Sequence, residues 1–169
     1  MSTPPLTPLA TAALRVSPPP ERVLEIECGD GDGTLFLARE FPRARVRGVD
    51  RSAELVRAAT GRVGLDPEGR VAFKRGRPGA LPYPSDFFDL VVVVDDRPRV
   101  GEIARVLRPG GQLILARRRG DDALGGVAGR LARWRLARHG VELLEGARAG
   151  DGSFSVGRLR GDDAAAVAD

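Results

Sequence analysis

The sequence has very little cysteine, lysine or histidine and few aromatic side chains. Cys28 is the single cysteine, so no internal disulfide can form and a cysteine-rich metal site is excluded. No apolar run approaches the roughly eighteen residues of a membrane span, the longest being LVVVV at 90–94. The first twenty residues lack the pattern of a signal peptide. We therefore expect a soluble, cytoplasmic protein without a membrane partner.

The charge is basic but not concentrated. Basic residues number 27 against 23 acidic ones, and all of the basic ones except Lys74 are arginine. Arginine cannot be deprotonated in a protein, which explains an isoelectric point near 10.4 despite a net charge of only +4. Binding to nucleic acid usually needs a denser basic field with aromatic side chains for bases, so nucleic acid is disfavoured as a partner.

The order of apolar segments predicts an α/β fold. Prolines dominate residues 1–20, which we expect to form an extended arm with one or two helical turns at most. Residues 21–160 are predicted to form one domain, and the acidic tail 161–169 is predicted to be disordered. Strands alternating with helices are typical of a parallel sheet covered on both faces. Strands are expected at 22–26, 44–49, 70–74, 89–94 and 112–116, helices at 34–41, 53–60, 100–107 and 123–138, and an antiparallel pair at 141–147 and 153–159.

The helix predicted at 123–138 is amphipathic. At about 100° per residue its apolar residues share one narrow sector with arginines on both flanks, which is typical of a helix docked on a sheet. Those apolar residues are Leu124, Val127, Leu131 and Trp134.

A glycine-rich turn with the sequence ECGDGDGTL follows the first predicted strand. Such turns usually cradle phosphate, but this one carries carboxylates at Glu25, Glu27, Asp30 and Asp32. Those charges would repel a pyrophosphate, and a dinucleotide fingerprint would need glycine where Thr34 stands. A nucleotide P-loop fails as well, since no Gly-Lys-Ser/Thr follows. Acids in the first turn of a helix also have a structural explanation, because they stabilise the helix dipole.

Two further interpretations of the turn remain. A calcium loop starting at Asp30 would need glycine and glutamate where Leu35 and Phe41 stand. A cationic ligand without phosphate fits the charge better. Asp50, at the end of the second predicted strand, is placed to accept hydrogen bonds from the hydroxyls of such a ligand.

Four segments in this order resemble class I S-adenosylmethionine-dependent methyltransferases of the quinone-biosynthesis type. They are VLEIECGDGDGTL, ARVRGVDRS, VAFKRGRPGALPYPSDFFDLVVVV and IARVLRPGGQLIL, and the resemblance covers residues 23–116. It implies a Rossmann-like, doubly wound sheet of seven strands in the order 3-2-1-4-5-7-6, with one strand antiparallel. It also implies S-adenosylmethionine as cofactor: Glu25 would orient its ammonium, Gly29 and Gly31 would admit its methionine part, and Asp50 would accept the ribose hydroxyls.

The chain departs from the family pattern at two cofactor positions. Glu27 stands where the family has a glycine, and Arg77 stands where the family commonly has an aspartate that accepts from adenine. Arginine has only donors, so Arg77 cannot make that contact. Asp86, or Asp95 directly after the fourth strand, is the compensating acceptor in this hypothesis. Asp96 is the candidate base that takes a proton from the acceptor.

The sequence therefore favours a methyltransferase that acts on a small-molecule acceptor by in-line transfer. The alternative is a non-catalytic or repurposed methyltransferase-like domain with a binding or regulatory role, which the departures at Glu27 and Arg77 support. A third hypothesis, an RNA methyltransferase, rests on the arginines alone.

Overall fold

A computed structural model describes residues 5–120 and 124–161 of the chain. In this part, five helices and seven strands follow one another largely in alternation. In chain order they are α1 (Thr7–Ala13), β1 (Arg22–Ile26), α2 (Asp32–Glu40), β2 (Arg45–Asp50), α3 (Ala53–Gly61), β3 (Val71–Arg75), β4 (Phe88–Val94), α4 (Val100–Val106), β5 (Leu107–Arg117), α5 (Gly126–Arg138), β6 (Val141–Ala149) and β7 (Gly152–Leu159).

The strands form a single sheet with the order β3-β2-β1-β4-β5-β7-β6. Strands β3, β2, β1, β4 and β5 pair in parallel, while β7 runs antiparallel to both of its neighbours. This confirms the seven-stranded order and the one antiparallel strand that the sequence predicted. Strand β5 begins earlier than the predicted 112, because it includes the RPGG segment; it first pairs at Leu107 and shifts register before Gln112.

The hydrophobic core lies on both faces of the sheet because β4 is buried at its centre. Alternate residues of a strand point to opposite faces. Val91 and Val93 pack with Ile103 of α4 on one face. Val92 packs with Leu37 of α2 on the other face. An uninterrupted apolar strand is therefore covered by helices from both sides.

The N-terminal segment contributes to this core. Leu9 and Ala12 of α1 are buried with the residues of β5 and β7. Beyond the helix, the Ser17 amide donates to the Gln112 side chain at 3.2 Å, and Arg158 donates to the Ser17 carbonyl at 2.8 Å. The one or two helical turns expected in the proline-rich arm therefore correspond to α1, which packs on the sheet. The boundaries of the arm and the domain stay predictions, and the tail beyond residue 161 lies outside the described residues.

Helix α5 presents a different face to the sheet from the one predicted. The apolar residues expected against the sheet are largely exposed: Val127 (74%), Leu131 (47%) and Trp134 (55%). Gly129 and Leu136 are buried instead. A Cβ added at Gly129 would lie 1.9 Å from the Leu124 carbonyl oxygen, so only glycine permits this close approach. Leu124, the remaining member of the predicted stripe, is buried just before α5. The docked-face prediction is therefore wrong for Val127, Leu131 and Trp134, since Leu136 is the large buried side chain of the helix. Within the described residues, no helix has the length and hydrophobicity needed to cross a membrane.

Candidate functional site

The predicted site residues lie at the carboxyl ends of three adjacent parallel strands. The register pairs Ile26 of β1 with Val49 of β2 and with Val93 of β4. The loops that follow these strands therefore meet at one edge of the sheet, where open α/β sheets bind ligands. Asp50 ends β2, while Glu27 and Asp96 lie just beyond β1 and β4.

The glycine-rich turn is anchored by backbone hydrogen bonds. The Cys28 amide donates to the Val49 carbonyl at 3.1 Å, and the Gly31 amide donates to the Cys28 carbonyl at 3.0 Å. A Cβ added at Gly29 would meet nothing within 4 Å, whereas one at Gly31 would lie 2.8 Å from the Phe73 ring. The open surface for a ligand is therefore at Gly29, and glycine at position 31 has a packing reason. Cys28 is buried, in agreement with the expectation of a structural role.

Glu25 is a buried carboxyl group that packs against the first turn of α2. The Thr34 hydroxyl donates to its Oε2 at 2.5 Å. Burial raises the pKa of Glu25 to about 8, although the Thr34 hydrogen bond opposes part of this shift. A Cβ at Gly33 would lie only 2.2 Å from Oε1, so the carboxyl group fills the space under the helix. Glu25 is therefore mostly protonated at neutral pH.

Asp50 fixes the loops that follow β1 and β2. Its Oδ2 accepts from the Gly29 amide at 3.0 Å, and its Oδ1 accepts from the Ser52 amide at 2.8 Å. The carboxylate thus holds the glycine-rich turn beside the start of α3. Each oxygen keeps a second lone pair, so Asp50 retains capacity for a further hydrogen bond.

Glu27 adopts a left-handed backbone conformation with φ of 56°. Glycine is the usual residue in this conformation, and other residues incur a cost of about 1 kcal/mol or more. The Glu27 Oε2 accepts from Arg51 Nε at 3.0 Å. Its Oε1 is buried and has no hydrogen-bond partner within residues 5–120 and 124–161. Burial also raises the pKa of Glu27, against the opposing effect of Arg51.

Arg51 joins the ends of three strands. Besides Glu27, its guanidinium lies 3.9 Å from Asp96 Oδ2. We call this contact chain the Glu27–Arg51–Asp96 bridge. It holds the loops after β1, β2 and β4 together across the edge of the sheet. Sequence reasoning missed Arg51, although its position directly after Asp50 and the surplus of nearby acids were signals that a cation is needed there.

The other predicted residues lie around this bridge. Asp95, also left-handed with φ of 59°, forms an ion pair with Arg118 Nε at 2.9 Å and accepts from the Arg118 amide at 2.8 Å. Arg77 is exposed and follows Gly76, whose amide donates to the Asp50 carbonyl at 3.0 Å. The structure thus places Arg77 close to the end of β2 and directs Asp95 toward β5. Their assignment to cofactor binding stays a prediction.

Two further acids of the turn are paired with an arginine of the segment that follows α3. Asp30 and Asp32 form ion pairs with Arg62 of the segment after α3, at 3.3 Å and 2.7 Å. Their contribution is therefore to the packing of α2 against that segment.

A large cleft opens next to Asp96. Its volume is about 730 Å³, and its walls are the 96–102 segment, the end of β5 and helix α5. The cleft therefore adjoins the strand ends that carry the predicted cofactor residues.

Comparison with known proteins identifies the family. Residues 23–111 match the model of the methyltransferase domain, which is more than half of the chain, so the chain belongs to that family. The resemblance to class I methyltransferases of the quinone-biosynthesis type is thereby confirmed.

Curated relatives match a little more than half of the chain. The ubiquinone/menaquinone biosynthesis C-methyltransferase UbiE of Syntrophotalea carbinolica is 34% identical over 101 residues, which cover 56% of this chain and 42% of that protein. The fatty-acid O-methyltransferase of Mycolicibacterium smegmatis is 36% identical over 101 residues, covering 56% of this chain and 36% of that protein. The chain thus spans less than half the length of these relatives.

Solved structures share the fold at low sequence identity. The PH0226 protein of Pyrococcus horikoshii superposes with a TM-score of 0.72 at 19% identity, covering 92% of this chain and 89% of that one. The [4+2]-cyclase SpnF superposes with a TM-score of 0.72 at 20% identity, covering 90% of this chain and 80% of that one. At this identity the likeness extends to the fold alone.

Proposed function

We propose that the protein is an S-adenosylmethionine-dependent methyltransferase that transfers a methyl group in line to a small-molecule acceptor. Membership of the methyltransferase family and its small-molecule relatives support the reaction class. The ends of β1, β2 and β4 are the proposed donor site. A cytoplasmic location and the absence of a nucleic-acid partner belong to the same proposal.

The observation that carries the proposal is the unpartnered carboxylate oxygen of Glu27. A buried acceptor without a hydrogen bond costs about 1–3 kcal/mol, and more when it is charged. Oε2 is held by Arg51, whereas the buried Oε1 lacks the hydrogen bond that a cation bound at this turn would supply. The ammonium of S-adenosylmethionine is such a cation. The residues present therefore fit a positively charged donor better than a phosphate-bearing one.

The residues of this chain have distinct roles in the proposed reaction. When bound, S-adenosylmethionine supplies an electrophilic methyl group on a sulfonium. Glu27 would bind its ammonium, and Asp50 would accept from the ribose hydroxyls while it keeps the turn in place. Asp96 accepts from the Arg97 amide at 2.7 Å and opens to the cleft, so it is placed to accept a proton from the acceptor. In-line placement can account for much of the rate of such a reaction.

Titration calorimetry with a matched set of ligands tests the donor site. S-adenosylmethionine and S-adenosylhomocysteine both carry the ammonium, whereas methylthioadenosine lacks it. We expect Glu27→Gln to weaken the first two about 10- to 100-fold, the effect of removing a hydrogen bond to a charged group. Methylthioadenosine should bind the variant and the unmodified protein equally. Asp30→Asn is the control, because it removes a charge from the same turn at a residue that is paired with Arg62.

A second candidate function is a methyltransferase fold that no longer catalyses methyl transfer. The Glu27–Arg51–Asp96 bridge favours it, because these contacts already connect the strand ends that a donor would approach. If the site has decayed, Glu27→Gly combined with Arg77→Asp should tighten binding of S-adenosylmethionine. Absence of heat at millimolar donor with the unmodified protein would contradict the enzyme proposal.

A further inference from the structure

The cleft beside Asp96 carries an unusual distribution of arginines. Arg97 and Arg99 lie on the wall that follows β4, Arg117 lies at the end of β5, and Arg135 lies on α5. Three separate parts of the fold therefore contribute arginines to the lining of one cavity. Exposed arginines are common in this chain, but this convergence distinguishes the four from arginines scattered over the surface.

None of these four guanidinium groups has a carboxylate partner among the residues that the structure describes. Other arginines do, as in the ion pairs of Arg62 with Asp32 and of Arg118 with Asp95. The four in the cleft form no such pair within 5–120 and 124–161. We call them the cleft arginines: Arg97, Arg99, Arg117 and Arg135.

The two acids that line the cleft are already engaged. Glu102 forms an ion pair with Arg105 at 2.7 Å and accepts from the Leu81 amide at 2.7 Å. Asp96 accepts from the Arg97 amide and lies 3.9 Å from Arg51. Asp96 thus contacts a cleft arginine only through its backbone amide, and Glu102 is paired with Arg105. Among the described residues of the lining, four arginines stand against two acids, a balance that attracts anions.

The remaining lining is apolar or small. Val100 is buried at the base of the cleft, and Leu131, Ala128 and Ala132 of α5 form part of the opposite wall. A volume of about 730 Å³ falls within the roughly 300–1,000 Å³ of small-molecule sites. The cavity therefore offers contact to an apolar body as well as charge to an anionic group.

We propose that this cleft binds a small amphiphile with a carboxylate group attached to an apolar body. The planar guanidinium matches a carboxylate through two parallel hydrogen bonds, and arginines on facing walls can hold the charged end. Because the cleft adjoins Asp96, this ligand is the methyl acceptor if the proposed function holds. Identification of the ligand as the acceptor rests on that proposal, whereas the charge selectivity of the cleft does not.

Three matched ligands test the selectivity in the absence of any methyl donor. They share a butylphenyl body and differ in the end group: 4-butylbenzoate, 4-butylbenzyl alcohol and 4-butylbenzylamine. Calorimetry with the full chain should show the benzoate binding at least tenfold more tightly than the alcohol, and the amine most weakly. Raising the salt concentration should reduce the preference for the benzoate, since exposed charges are screened.

Two variants assign the selectivity to the cleft. Arg97→Gln with Arg135→Gln removes one charge from each wall, and we expect it to reduce the preference for the benzoate at least about fivefold. Arg57→Gln, an exposed arginine on α3 outside the cleft, should leave the preference unchanged. Circular dichroism should show that both variants keep the fold.

Equal binding of the benzoate and the alcohol would overturn the proposal, as would a preference that survives in the double variant or falls equally in Arg57→Gln. The outcome is separable from the proposed function. Selective binding of the benzoate without any binding of S-adenosylmethionine would support the cleft proposal and identify a binding protein. Binding of S-adenosylmethionine without any preference for the benzoate would be consistent with the methyltransferase proposal and would contradict the proposal of an anionic ligand.

Discussion

Replacement of Glu25 by glutamine should abolish a specific part of the pH dependence of stability. The carboxyl group is 3% exposed, and its pKa rises from an ordinary 4.5 to about 8 in the folded protein. Between these pH values the folded state keeps a proton that the unfolded chain has released. Stability is therefore full below pH 4.5 and declines as the pH rises toward about 8. An amide does not titrate, so Glu25→Gln removes this decline.

The size of the effect follows from the shift. Each pH unit in this interval lowers the free energy of unfolding by about 1.4 kcal/mol, which gives about 3 kcal/mol between pH 4.5 and pH 7. That is a large share of the roughly 5–15 kcal/mol that stabilises an ordinary domain. Burial is almost complete, so solvent screening takes little away from the figure. Any change in packing caused by the amide beside Gly33 is constant with pH and cancels from the slope.

Urea denaturation at pH 5, 6, 7 and 8 measures this slope directly. The difference in the free energy of unfolding between Glu25→Gln and the unmodified protein should rise steadily over the series in favour of the variant. Glu40→Gln, an exposed carboxylate on α2, the helix against which Glu25 packs, is the matched control and should show no such trend. A difference that stays constant from pH 5 to pH 8 would refute the assignment of Glu25 as a protonated buried acid.

Three further predictions concern packing and reactivity. Leu9→Ala should lower the free energy of unfolding in urea by about 2–5 kcal/mol, whereas Leu14→Ala should have little effect, and equal losses would argue against a docked α1. Gly129→Ala should destabilise by about 1–3 kcal/mol through its clash with backbone. Gly101→Ala in α4, which meets nothing closer than 3.9 Å, should stabilise by up to about 1 kcal/mol, and the reverse order of these two variants would contradict the packing. Burial raises the pKa of the Cys28 thiol, so Ellman's reagent should react with it only as fast as the protein unfolds, and rapid labelling of the native protein would show otherwise.

The alternation of strands and helices could be predicted because it depends on local signals that agree. Short apolar runs separated by helical segments specify a parallel sheet, and Ser52, which has the side chain of a helix N-cap, accepts a hydrogen bond from the Leu55 amide at 3.2 Å. The motifs between 23 and 116 then supplied the order of strands that pair far apart in sequence. These features need no knowledge of which distant side chains meet.

The orientation of α5 and the partner of Glu27 could not be predicted in this way. A helical wheel locates an apolar sector but does not say whether that sector or the one that contains Leu136 is buried in the fold. Likewise, the contact between Glu27 and Arg51 depends on the loops after β1 and β2 meeting in space. Charge counting indicated that the acids near the turn needed cations, but it could not distribute them among the available arginines.

The distribution of the carboxylates resolves the apparent conflict between an acidic turn and a fold that commonly binds anions. Asp30 and Asp32 share an ion pair with one arginine, Arg62, of the segment after α3, and Asp50 is held by backbone amides. Glu25 is mostly protonated because it is buried. Among the acids of the two loops after β1 and β2, Glu27 therefore retains the one buried oxygen without a hydrogen-bond partner in the described part of the chain.

Selectivity for a cationic ligand should then depend on a single side chain rather than on the sum of the acids. A ligand that approaches Gly29 meets Glu27, whose other carboxyl oxygen is already held by Arg51, and Asp50, which is already held by backbone amides. Removal of the Glu27 charge should weaken binding of a ligand that carries an ammonium and spare an analogue without it, while removal of the Asp30 charge should affect neither. A general acidic field would instead make both variants lose affinity to a similar extent, and this effect would diminish with added salt.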